Sequence, residues 1–172
     1  MRQGSDDSIT GTVFSSALGW MSVSWEATHV TRIGFSEPTP QAALAVLGGH
    51  DTTRPPRMIQ RLVKRLQRFC EGARVDFSDV PLELAHLTPF QSRVVQQCRC
   101  IPYGTTLSYA DLAARAGSPR AARAVGNVMA TNRFPLVVPC HRVVGARGAL
   151  GGYSARDGLP MKVRLLRNEG SW

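Results

Sequence analysis

The sequence predicts an α+β fold in two units. Residues 1–80 form an N-terminal α/β domain, an antiparallel strand meander with helices, and residues 81–172 form a mostly helical domain with a helix-turn-helix and a reactive cysteine. Three observations carry this. Apolar residues alternate with period two between Gly11 and Phe35, which is strand spacing. From Thr88 onward, helix-start and helix-stop residues recur at short intervals. The charge also divides: residues 1–87 hold 9 Lys or Arg against 9 Asp or Glu, and residues 88–172 hold 12 against 3, so the whole net charge of +9 lies in residues 88–172.

In the first unit, Met21, Val23 and Trp25 alternate with Trp20, Ser22 and Ser24, and His29, Thr31, Ile33 and Phe35 share one side of the next strand. Breaks at Ser16–Gly19 and Glu26–Thr28 fold these strands into the meander. Thr39 followed by Pro40 reads as an N-cap with proline at the first helical position, and that helix stops at Gly48 and Gly49. After Pro55 and Pro56, a second helix buries Met58, Leu62, Leu66 and Phe69 and ends at Gly72. Its Arg57, Arg61, Lys64, Arg65 and Arg68 read as a solvated face. A further strand is expected around Val75 and Phe77.

In the second unit, Thr88, Pro89 and Gln91 spell a capping box, and Phe90, Val94, Val95 and Cys98 supply the buried side of the helix. After the break IPYGTT, Ser108 and Asp111 open the helix SYADLAARAG, which closes at Gly117. Ser118 and Pro119 then open SPRAARAVGNVMAT, completing a helix-turn-helix. Ala122, Val125 and Met129 face inward, while Arg120, Arg123 and Asn127 share the outer side among alanines. No Asp or Glu occurs from 112 to 156, so this face suits DNA, where Arg and Asn reach phosphates or base edges. A glycine-dense stretch with Tyr153 and Ser154 reads as a flexible loop, and LPMKVRLLRNEG as a closing helix.

Composition narrows the function classes. At 172 residues the chain makes one ordinary domain or two small ones. No apolar run reaches the ~18 residues of a membrane span, and the start MRQGSDDSIT lacks the regions of a signal peptide, so a cytoplasmic protein is expected, nucleoid-associated if prokaryotic. Cys70, Cys98, Cys100 and Cys140 are too sparse for a disulfide framework, and Cys98 and Cys100 read as reduced packing residues. His29, His50 and His86 have no thiol or carboxylate cluster at ligand spacing, so no metal is expected.

Residues 135–144, PLVVPCHRVV, place Cys140 beside His141 at the end of an apolar run. A thiol next to a base, with Arg142 adjoining, is the pattern of an activated nucleophile, although a buried structural cysteine gives the same letters. The order SYADLA, AARAVG, an Asn eight residues before the Cys, PCHRVV, a GYS loop and LLRNEG resembles the O6-alkylguanine-DNA alkyltransferases, also called methylated-DNA-protein-cysteine methyltransferases. The match covers roughly residues 80–170.

The resemblance implies that Cys140 accepts the alkyl group, with His141 as a base acting through a water and Glu169 orienting it. Asn132 braces the turn before the reactive segment. Tyr109 helps rotate the nucleotide and hydrogen-bonds the guanine ring, Ser154 donates near O6, Tyr153 walls the pocket, and the carbonyls of Cys140 and Val143 accept from the exocyclic amine. Arg123 fills the gap left by the extruded nucleotide, on a minor-groove recognition helix to which Arg120, Asn127 and Ala122 also belong. The partner so implied is double-stranded DNA containing O6-alkylguanine, and O4-alkylthymine is a second candidate lesion. No cofactor, no membrane and a monomer are expected.

The chemistry is coherent with that reading. The alkyl group lies inside the stack, so the base must leave the duplex, and the thiolate then displaces guanine from the alkyl carbon. The thioether product has no electrophilic carbonyl for water to attack, so each molecule reacts once. Two other classes stay open at this point: a non-catalytic protein that binds alkylated DNA, and a Cys-His hydrolase of acyl substrates.

Overall fold

A computed structural model of the chain describes residues 10–48 and 54–172. The readings placed on the first nine residues, Gly49 and His50 fall outside the described residues. Strands β1 (Thr10–Ser16), β2 (Gly19–Glu26) and β3 (His29–Glu37) form an antiparallel sheet in the order β1-β2-β3. Met21, Val23 and Trp25 of β2 are buried, as their alternation predicts. On β3 the alternation breaks. Trp25 pairs with Val30 but Ser24 pairs with Arg32, so Thr31 is bulged out of the ladder and Val30, rather than His29 or Thr31, joins Ile33 and Phe35 in the core.

Helix α1 (Pro40–Val46) is capped by Thr39, whose hydroxyl accepts from the Ala42 N–H at 3.1 Å. Helix α2 (Arg57–Cys70) buries Ile59, Leu62, Leu66 and Phe69; its apolar stripe begins at Ile59, and Met58 is only half-buried. Each such side chain taken from water is worth about 1.5–3 kcal/mol. The strand expected around Val75 and Phe77 does not form. Instead Leu82 bridges to Val30, with Val30 N–H donating to Pro81 O at 2.9 Å and Glu83 N–H to Val30 O at 2.8 Å. These bonds cover the outer edge of β3, which otherwise presents unpaired backbone groups.

Helix α3 (Pro89–Arg99) carries the complete Thr88–Gln91 capping box. The two-residue strand β4 (Leu107–Ser108) leads into α4 (Tyr109–Arg115), whose Ser108 cap accepts from the Asp111 N–H. Gly117 N–H donates to Ala114 O and Ser118 N–H to Ala113 O, the paired bonds of a helix end that needs a left-handed residue, and Gly117 supplies φ +78°. Helix α5 (Ala122–Ala130) starts later than its sequence suggests. Ser118 accepts from the Ala121 N–H in a separate turn, so Ser118 and Pro119 do not cap α5 and Arg120 stands before it.

Strand β5 (Val143–Val144) pairs parallel with β4, and α6 (Gly158–Asn168) closes the fold. The four cysteines are free; Cys98 is buried, whereas Cys100 is exposed and is not the packing residue expected. Among the described residues no helix is long and apolar enough to cross a membrane.

Candidate active site and nucleic-acid interface

The reactive segment is a buried loop wound around the Asn132 side chain. Asn132 Oδ1 accepts from the Phe134 N–H at 3.0 Å, and Nδ2 donates to Val138 O at 3.0 Å and to the Cys140 sulfur at 3.2 Å. The backbone adds Val138 N–H to Phe134 O and Cys140 N–H to Val138 O, both 2.8 Å. These bonds hold Leu136 at φ +70°, a left-handed conformation that disfavours a bulky side chain, and Leu136 is nevertheless buried. The structure places the Asn132 side chain across the turn before Cys140, and the same amide reaches the sulfur, a contact the sequence did not reveal.

Cys140 opens a short 3-10 turn, Cys140–Arg142, whose three side chains are all buried. Burial pushes the Cys140 thiol above its ordinary range; the Asn132 hydrogen bond and the nearby Lys162 charge pull the other way. His141 is fully buried, and burial lowers its pKa, so its ring is neutral at pH 7. Its Nε2 lies 2.8 Å from Glu169 Oε1. Glu169 also accepts from Arg142 Nε at 2.9 Å, Arg142 Nη2 at 3.0 Å and the Gly104 N–H at 3.2 Å. Burial opposes its ionisation, but the His141 and Arg142 hydrogen bonds prevail and hold its carboxyl at about 2. An ionised Glu169 can only accept, so Nε2 carries the imidazole proton and Nδ1, which has no hydrogen-bond partner among the described residues, keeps its lone pair.

Gly104 has φ +76°, and a Cβ there would lie 2.9 Å from the Glu169 carbonyl oxygen, so glycine lets this turn close on the C-terminal end of α6. Gly151 does the same on the other side of the site. Its φ is +66°, and a Cβ would stand 2.9 Å from the Tyr109 ring. The glycine-dense stretch is therefore no free loop: Lys162 Nζ, fully buried, donates to Val143 O at 2.6 Å, Leu150 O at 2.5 Å and Gly152 O at 3.3 Å. Burial draws the Lys162 pKa down to about 8. Nothing in the sequence pattern marks Lys162, because one lysine in a helix reads as a surface residue. Its engagement of the Val143 carbonyl leaves one lone pair of that oxygen for another donor.

Cys140 borders a cavity of about 660 Å³. Tyr109, Tyr153 and Ser154 line it together with Ala122, Arg123 and Asn127 of α5. Arg123 and Asn127 are exposed, Val125 and Met129 are buried, and Ala122 is half-buried at the cavity instead of packed in the core. Arg120 does not border the cavity, being in the turn before α5. The Tyr153 hydroxyl is buried and has no hydrogen-bond partner among the described residues. Helix α2 also reaches the site: the Phe69 ring packs edge-on to His141 with centroids 6.1 Å apart. Among the described residues no group of three or more His, Cys, Asp or Glu side chains is placed to hold a metal ion.

A cavity floored by a hydrogen-bonded thiol and rimmed by an arginine and an asparagine of a helix-turn-helix suits a flipped base bearing an electrophilic carbon. Comparison with known proteins agrees. Residues 89–171 match the family described as 6-O-methylguanine DNA methyltransferase, DNA binding domain. The chain is 43% identical over 117 residues to a methylated-DNA–protein-cysteine methyltransferase of Methanothermobacter thermautotrophicus, an alignment spanning 67% of this chain and 64% of that relative. It is 37% identical over 158 residues to the constitutive methylated-DNA–protein-cysteine methyltransferase of Bacillus subtilis, covering 92% of this chain and 93% of that one. In structure it resembles Mycobacterium tuberculosis OGT in complex with DNA, with TM-score 0.76, 33% identity, and coverage of 95% of this chain and 94% of the other.

Proposed function

The chain belongs to the methylated-DNA–protein-cysteine methyltransferases, and we propose that it repairs duplex DNA by moving the alkyl group of O6-alkylguanine irreversibly onto Cys140. The observation that carries this is the position of Cys140 at the cavity whose rim is formed by Arg123 and Asn127 of α5.

In this reading α5 enters the minor groove, with Arg123 filling the space of the extruded nucleotide and Asn127, Ala122 and Arg120 contacting the duplex. The base lies between Tyr153 and α5, and its exocyclic amine donates to the carbonyls of Cys140 and Val143. His141 Nδ1 takes the thiol proton through one water, and Glu169, fixed by Arg142, stabilises the imidazolium that results. The Sγ–C bond forms as the C–O6 bond breaks, and the electron pair left on guanine is met by donors at Tyr109 and Ser154. The thioether is stable, so one molecule repairs one lesion. No cofactor takes part, and the protein works as a monomer of two units, 1–80 and 81–172.

Incubation with a duplex carrying one O6-methylguanine tests this. The intact mass should rise by one methyl, located on the Cys140 peptide, with no turnover and no gain in Cys140→Ser. An unchanged mass after prolonged incubation removes the alkyl-transfer reading and leaves a protein that only binds the lesion.

A further inference from the structure

Cys140 borders a second cavity, of about 150 Å³, walled by both halves of the chain: Ile33 of β3 and Val46 of α1 from the N-terminal unit, Pro135 and Tyr153 from the C-terminal one. We propose that this chamber receives the part of the alkyl group beyond the transferred carbon, so that the N-terminal unit, chiefly through Val46, sets the largest alkyl group the protein removes. The inference rests on the alkyl-transfer reading above.

The geometry of displacement supplies the argument. In an in-line reaction the Cys140 sulfur, the transferred carbon and guanine O6 lie on one line, with reacting atoms ~3–3.5 Å apart beforehand. Guanine approaches through the larger cavity, which Tyr109, Arg123 and Asn127 border. The remaining substituents of the carbon project sideways from that line. A methyl group needs no space there, whereas ethyl and longer chains need a chamber beside the sulfur, and the second cavity is such a space. When the Sγ–C bond has formed and the C–O6 bond has broken, its electron pair leaves with guanine and is matched by one proton; the chain stays behind on the sulfur. The chamber must therefore hold the product as well as the substrate.

The N-terminal wall is firm. Gly34 pairs with Ser22, and a Cβ at Gly34 would lie 2.3 Å from Ser22 Oγ and 3.3 Å from Val46 Cγ1, so β2, β3 and α1 are in close contact at this point. Ile33 N–H donates to Arg133 O at 2.8 Å, tying β3 to the residue beside Asn132. Such a wall does not yield to a longer chain. Glu37 and Arg156 also border the chamber, so an apolar occupant that fills it desolvates charge, which favours short chains.

The test compares single-turnover rates on duplexes carrying O6-methylguanine or O6-butylguanine in wild type, Val46→Ala and Val46→Phe. Val46 is half-buried, and the butyl-to-methyl rate ratio is internal to each protein, so partial loss of folded material cancels. The ratio should rise several-fold in Val46→Ala and fall about tenfold or more in Val46→Phe, the discrimination a hydrophobic pocket gives per methylene-sized change. If one variant does not fold, the sign of the other decides. A ratio unchanged, or shifted in the same direction by both substitutions, overturns the chamber. Wild-type protein that transfers no methyl at all overturns the alkyl-transfer reading instead.

Discussion

The Asn132 amide nitrogen stands 3.2 Å from the Cys140 sulfur while also donating to the Val138 carbonyl at 3.0 Å. One side chain thus shapes the loop and stabilises charge on the nucleophile. Hydrogen bonds to charged groups are worth ~1.5–3 kcal/mol, so Asn132→Ala should slow alkyl transfer ~10-fold or more. It should also move the pH dependence of Cys140 alkylation by a small haloacetamide upward. A slower reaction with an unshifted pH profile would restrict Asn132 to the loop.

The pH–rate profile separates two routes to the thiolate. Burial places Cys140 above its ordinary 9.0 and His141 below its ordinary 6.5. If His141 takes the proton, transfer falls only below the lowered His141 pKa and runs level from about 6.5 to 9. If free thiolate reacts without the base, the rate climbs tenfold per pH unit through that whole range. We expect the level profile in wild type and the climbing one in His141→Gln. A climbing wild-type profile would remove His141 as the base.

Glu169 accepts from two cationic or potentially cationic partners in a buried site. Its folded pKa of about 2 lies below the ordinary 4.5, so its contribution is present above about pH 4.5 and is lost as pH falls toward 2. Glu169→Gln leaves the Arg142 charge buried and unmatched, which costs about 3–5 kcal/mol. Urea unfolding at pH 7 should show that loss, and the variant should lose less further stability between pH 5 and 2 than wild type. Equal acid sensitivity of the two proteins would refute the assignment.

Much of this was legible in the sequence, and the failures have local causes. The Thr88 and Ser108 caps and the Gly117 stop depend on neighbours three residues away, and they stand where the letters put them. The β3 face was misread because a bulge at Thr31 swaps sides without changing composition, and the strand at Val75 gave way to a bridge at Leu82 that requires the partner Val30. Arg120 reads as helical because Ser-Pro so often starts a helix, but here those residues close a turn of their own. Asn132 and Glu169 were recoverable from the resemblance alone. Lys162, Phe69 and the β3–α1 wall were not, since each acts through contacts 10 or more residues distant in sequence.

Lys162 holds the Tyr153–Ser154 loop by its backbone, through Leu150 O and Gly152 O. Lys162→Met keeps much of the volume and removes the donors, taking one partner from the buried Val143 carbonyl, at about 1–3 kcal/mol, and both loop bonds from Leu150 and Gly152. Amide hydrogen exchange should accelerate over residues 149–155 and transfer should slow. Unchanged exchange there would show that the glycine loop is held by other means.

Arg123 and Arg120 provide the sharpest test, because the structure separates two residues that share a face in the sequence reading. Arg123 lies on α5 at the cavity and is exposed; Arg120 lies in the preceding turn and does not border the cavity. Extruding a nucleotide costs a few kcal/mol, and a side chain that fills the vacated stack offsets part of it. Arg123→Ala should therefore slow reaction with duplex DNA by ~10-fold or more, at roughly 1.4 kcal/mol per decade, while reaction with free O6-benzylguanine, which has no stack to leave, keeps its rate. Arg120→Ala should act as a lost phosphate contact, reducing the slope of log affinity against log salt by about one and weakening all sequences alike. Equal losses of the Arg123 variant on duplex and free base would remove its role in extrusion, and a salt slope unaltered by Arg120→Ala would take that residue out of the interface.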